Sequence, residues 1–144
     1  MQDYPHHYRA AASGTQEGSV MVNSGDLPVL STNPPPEFNG PMGYWSPETL
    51  LVASVANCFI LSFRAVARAS KLEWENLSCD VEGILDKDGK VTRFTRFIIK
   101  PSLTLSSDDL RQKAQRCLEK AKNNCLITNS LNSENELTID IAIA

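Results

Sequence analysis

Four cysteines, Cys58, Cys79, Cys117 and Cys125, and two adjacent histidines, His6 and His7, are the side chains of this 144-residue sequence best suited to nucleophilic, redox or metal chemistry. Their spacing disfavours a metal centre. Zinc sites use closely spaced Cys or His pairs, and here no C-x-x-C occurs; the closest cysteines, Cys117 and Cys125, stand eight apart. A Cys–His hydrolase would require His6 or His7 to fold back from a frayed N-terminus onto a distant thiol. What remains is the chemistry of the thiols themselves, as redox nucleophiles or as inert core side chains.

Cys58 lies in the middle of the longest apolar run, SPETLLVASVANCFILSFRAVARAS, Ser46–Ser70. Ser46 is a good N-cap, Pro47 suits the first helical position, and Glu48 puts negative charge on the N-terminal dipole. These signals predict a helix. Between Leu50 and Phe63 its only polar side chains are Ser54, Asn57 and Ser62, so it is apolar nearly all round and needs cover on every side. That run is fourteen residues, short of the roughly 20 that cross a bilayer, and Arg64 and Arg68 follow at once. A buried central helix is expected rather than a membrane span.

The other elements follow from alternation and punctuation. His7–Ala12 and Ser19–Val22 read as strands around the hairpin loop SGTQEG, with Asp26–Leu30 as a third. STNPPPEFNGPMGYW, residues 31–45, holds four prolines and two glycines and reads as a long loop. Its Phe38, Met42, Tyr44 and Trp45 either line an apolar pocket or cap the core. Beyond the helix, Leu77, Cys79, Val81, Gly83 and Leu85 alternate with polar residues in a half-buried strand, where Cys79 reads as core filler. Asp86-Lys87-Asp88-Gly89 turns the chain, and Val91–Ile99 returns as the second arm of a hairpin.

Ser106 or Ser107 caps a second, amphipathic helix with Leu110, Ala114, Cys117, Leu118 and Ala121 on one face. Asn123-Asn124 ends it, Cys125 follows, and Leu137–Ile143 alternates as a final strand. The class is α+β, and the length suits a single domain over residues 1–144. With 14 basic and 17 acidic residues, a net charge of −3 and no basic block, no nucleic-acid partner is expected. The N-terminus has neither the charged nor the apolar region of a signal peptide, so four cysteines point to the reducing cytoplasm.

SPETLLVASVANCF resembles the motif of the OsmC/Ohr family, the osmotically induced protein C and organic hydroperoxide resistance proteins. In that family a Pro-Glu pair opens a central helix that carries a peroxidatic cysteine. A second cysteine follows an amphipathic helix, the context of NNCLITNSL. The order of elements agrees along the whole chain. The resemblance implies an OsmC-like fold, antiparallel sheets packed around a buried central helix in an intertwined homodimer. It also implies that Cys58 is the peroxidatic thiol, Cys125 the resolving thiol and Glu48 the acidic member of the site, with no bound cofactor. The implied activity is reduction of an organic hydroperoxide: attack leaves a sulfenic acid on Cys58, Cys125 condenses with it, and an external dithiol reduces the disulfide. An apolar surround for Cys58 favours alkyl peroxides.

The sequence departs from the family in two places. The family's arginine lies either between the first strands, where SGTQEGSV offers Gln16, or before the helix, where PPPEFNG offers Glu37. Arg9, Arg64 and Arg68 are the substitutes at hand. Leu126 stands where most members have proline. Ten residues of helix also separate Glu48 from Cys58, about 15 Å, so a partner subunit or a helix break must bring them to one peroxide. That distance and the all-round apolar helix both point to a homodimer. An alternative stays open: a catalytically weak relative that binds an apolar small molecule at the dimer interface.

Overall fold

Short apolar segments near the N-terminus become three strands, β1 (Ala11–Ser13), β2 (Val20–Asn23) and β3 (Leu30–Thr32), paired antiparallel in that order. The computed structural model describes all of Met1–Ala144 and divides into two compact units, Met1–Leu51 and Val52–Ala144. The strands of the first unit sit later than alternation alone suggests. A turn closed by the Leu27 amide on the Ser24 carbonyl at 3.1 Å, with Gly25 at φ +53°, takes up the start of the expected third strand.

The proline-rich segment is not wholly irregular. Its ends are pinned: the Asn33 amide donates to the Trp45 carbonyl at 3.0 Å, and the Asn33 side chain donates to Ser19 Oγ at 2.9 Å. A single 3-10 turn, Pro36–Phe38, lies inside this closed loop. Gly40 is required there, because a Cβ would fall 1.7 Å from the Pro34 carbonyl oxygen. Phe38, Met42, Tyr44 and Trp45 are all exposed, so within the chain they do not cap the core.

The apolar run forms one unbroken helix, α1 (Pro47–Ala69). A reciprocal cap starts it: Ser46 Oγ accepts from the Thr49 amide at 3.1 Å while the Ser46 amide donates to Thr49 Oγ1 at 2.9 Å. Lys71, left-handed at φ +54°, stops it, with the Leu72 amide on the Ala67 carbonyl and the Lys71 amide on the Arg68 carbonyl. At 23 residues the helix is longer than its apolar run, and by length and composition it is long enough to cross a membrane. Cover on every side is not what one chain supplies. Val55, Phe59, Phe63, Val66 and Ala67 are buried as one stripe, while Asn57, Leu61, Arg64, Ala65 and Arg68 face out.

In the second unit β4 (Asn76–Asp88) and β5 (Val91–Leu105) form a long antiparallel hairpin with a bulge at Ile84/Leu85. The amphipathic segment becomes α2 (Arg111–Asn124), entered through a 3-10 turn in which Ser107 Oγ accepts from the Asp109 amide. A one-turn helix, α3 (Leu126–Asn129), follows. The expected last strand is two runs, β6 (Glu134–Leu137) and β7 (Asp140–Ile143), both parallel to β5 and in one continuous register. Their break lies opposite Pro101. The Ile99 and Leu105 carbonyls accept from Thr138 and Ala144 on this edge, so Pro101, two residues from Ile99, withholds an N–H from the same ladder.

Helix and sheet meet over Gly83. A Cβ there would lie 2.7 Å from Val52 Cγ2, 3.0 Å from Phe97 Cε1 and 3.1 Å from Phe94 Cε1. Val52 is stiff and both rings are packed, so nothing nearby yields cheaply. Gly83→Ala is therefore expected to lose about 1–3 kcal/mol of stability, read as a lower urea midpoint; an unchanged midpoint would refute the close approach.

Candidate active site

Cys58 stands midway along α1 and is half-buried. Its one polar contact is with the Ser62 hydroxyl one turn on, Sγ to Oγ 3.9 Å. No arginine joins it: Arg64 and Arg68 are exposed and take part in no ion pair. Glu48 occupies the first turn of α1, where the helix dipole favours a carboxylate, yet its Oε1 is buried with no hydrogen-bond partner. An orphaned carboxylate oxygen is costly, and it marks a place where a donor is owed. Gln16, Glu37 and Arg9 are exposed.

Cys125 is fully buried at the junction of α2 and α3. Its amide donates to the Lys122 carbonyl at 3.3 Å, and its own carbonyl accepts from the Asn129 amide at 3.0 Å and the Thr128 hydroxyl at 3.2 Å. The backbone of this thiol is thus fixed on both sides. Leu126 is the first residue of α3, a position where an N–H is dispensable and proline costs nothing. Replacing proline by leucine there leaves the helix start in place.

The structure brings Cys125 near a thiol that the pattern of the sequence leaves aside. Cys79 lies on β4 opposite Pro101, and burial, then the charges of Asp80 and Cys125, push its thiol from 9.0 up to about 12, against a hydrogen bond from the Lys100 backbone. The clue was its place in the alternation of β4, on the face with buried Leu77. Cys117 is buried on the apolar face of α2. All four thiols are free.

The family model for OsmC-like proteins matches residues 40–140, a span that takes in α1, both long strands and Cys125. The chain belongs to the OsmC-like protein family. It is 28% identical over 147 residues to the uncharacterized protein YmaD of Bacillus subtilis, covering 99% of this chain and 97% of that one. An OsmC-like protein of unknown function from Vibrio cholerae superposes with a TM-score of 0.83 at 19% identity, over 94% of this chain and 99% of its own. An organic hydroperoxide resistance protein, OsmC, from Legionella pneumophila gives 0.78 at 26% identity, over 96% and 99%. The α+β architecture is thus the OsmC-like fold, in a divergent member.

Within that OsmC-like frame, the surroundings of Cys79 disfavour its thiolate. Its folded pKa exceeds the unfolded one, so the stability it contributes is present below about pH 9 and is lost as pH rises toward 12. Unfolding midpoints should fall across that window in the native sequence and fall less in Cys79→Val. Iodoacetamide at pH 8, followed by peptide mass spectrometry, should label Cys58 while Cys79 stays free; equal labelling would contradict the raised pKa of Cys79.

Proposed function

We propose that this OsmC-like protein is a cysteine peroxidase that reduces organic hydroperoxides in a reducing cytoplasm. The observation that carries the reading is the state of the two family cysteines: Cys58 is reachable from solvent on α1, and Cys125 is held fully buried at a rigid helix junction. A peroxidatic thiol must meet its oxidant, and a resolving thiol must be kept from it. The Cys58 thiolate attacks the O–O bond of ROOH; with one proton the products are ROH and a Cys58 sulfenic acid. The Cys125 thiol condenses with that acid, forming the disulfide and releasing water. An external dithiol then takes the disulfide back to two thiols and is itself oxidised to a disulfide. The Legionella pneumophila relative is named an organic hydroperoxide resistance protein, which supports the substrate class.

The same reading includes a homodimer. α1 is unbroken, so no kink shortens the ten residues between Glu48 and Cys58. The orphaned Glu48 oxygen calls for a donor, and a cation of a second subunit meets that need. Leu61, 53% exposed on the outward stripe of α1, offers the apolar contact for the same partner. The competing reading, an apolar-ligand binder at the dimer interface with little peroxidase activity, draws its support from the exposed, unpaired state of Arg9, Arg64 and Arg68.

Thiol titration separates the two. A slight excess of cumene hydroperoxide should consume two thiols per chain, with Cys58→Ser abolishing the loss; thiols that persist would leave ligand binding. Cys125→Ser should complete one turnover and then over-oxidise at Cys58, seen by mass spectrometry, whereas normal cycling would remove Cys125 from the mechanism. Leu61→Lys should shift sedimentation from dimer to monomer, and an unchanged dimer would place the interface elsewhere.

A further inference from the structure

α2 is strongly basic on a chain whose net charge is −3. It carries Arg111, Lys113, Arg116, Lys120 and Lys122 against a single acidic residue, Glu119. Arg111 is engaged by Asp108 at 2.8 Å. Lys113, Arg116 and Lys120, at positions i, i+3 and i+7, form one stripe about 10 Å long and enter no ion pair. A solvated helix face would scatter such charges among carboxylates; these three instead line a single cleft.

The cleft has a volume of about 360 Å³, within the range of small-molecule sites. Its floor is apolar, formed by buried Val66 near the end of α1 and buried Cys117 of α2. Ser70, just beyond α1, completes the wall, and its hydroxyl has no hydrogen-bond partner in the chain. Three unpaired cations, a free hydroxyl and an apolar floor thus converge on one volume. They match one chemistry: a doubly charged headgroup with an apolar stem. The arginine fork grips two oxygens of a phosphoryl group, the flanking lysines balance its second charge, and the stem covers Val66 and Cys117. A carboxylate would leave two of the three cations unmatched.

We propose that this cleft, lined by Val66, Ser70, Lys113, Arg116, Cys117 and Lys120, is a binding site for a small organic phosphate. It is independent of the peroxidase reading, since neither Cys58 nor Cys125 lines it. A lipid headgroup presents the same phosphoryl chemistry, but a cleft of this size accommodates a soluble ester whole.

Calorimetric titration of the native protein with hexyl phosphate and with inorganic phosphate tests the assignment. One site per chain is expected, with hexyl phosphate bound at least ten-fold more tightly and more weakly as salt rises. Arg116→Ala/Lys120→Ala, two exposed positions whose loss leaves the core intact, should weaken hexyl phosphate at least ten-fold while hydroperoxide consumption is unchanged. Val66→Ser should remove the preference for the hexyl ester while leaving inorganic phosphate bound. Any of four results would overturn the proposal: no saturable binding, equal binding to the double variant, no preference for the ester, or retention on anionic vesicles without binding of the soluble ester.

Discussion

The second unit depends on how closely α1 can approach its sheet. Gly83 leaves the space that Val52 fills, and the Phe94 and Phe97 rings, 5.4 Å apart, close around it. From that contact the helix runs on with Phe59 and Phe63 fully buried, the latter edge-on to Trp74 at 5.3 Å. A side chain at position 83 would lift the helix off the strands and loosen each of these contacts, because packed interiors do not absorb a methyl group freely. Cys58 inherits its position from that packing. It sits one residue before Phe59, so anchoring the ring directs the thiol sideways, to a half-buried place rather than into the core.

Where local chemistry decides structure, the sequence was enough to read it. Ser46, Pro47 and Glu48 announced the start of α1, and the cap forms as those residue types require, with Thr49 as an unforeseen reciprocal partner. The hairpin around Gly89 was equally plain, since φ +63° suits glycine and the flanking alternation fixes the register. What escaped reading came from longer range. The split between β6 and β7 reflects a proline on a neighbouring strand, some forty residues earlier in the chain. The exposed stripe of α1 was invisible because apolar composition says that cover is needed without saying who provides it.

The candidate site shows the same division. Cys58 and Cys125 were marked by the resemblance of SPETLLVASVANCF and NNCLITNSL to the OsmC/Ohr motif, since their spacing alone also fits inert core thiols. The neighbourhood of Cys79 and Cys125 needed the fold, since β4 and the end of α2 are far apart in sequence. Their proximity also bears on selectivity. A thiol beside Cys125 would compete with it in the proposed cycle, but thiols react as thiolates, and burial with the charges of Asp80 and Cys125 disfavours the Cys79 thiolate.

The unpartnered oxygen of Glu48 carries the remaining step. A buried carboxylate oxygen without a donor carries a desolvation cost, and the N-terminal dipole of α1 offsets only part of it. In the proposed dimer the deficit becomes a reason to associate, because the donor that satisfies Glu48 also brings positive charge to a site whose own arginines point away. The loss of arginine at Gln16 and Glu37 then need not abolish thiolate chemistry. On that proposal the cation would come from a basic side chain of the second subunit instead of the loops at Gln16 and Glu37, and the rate of the proposed peroxide attack would depend on the interface rather than on one chain.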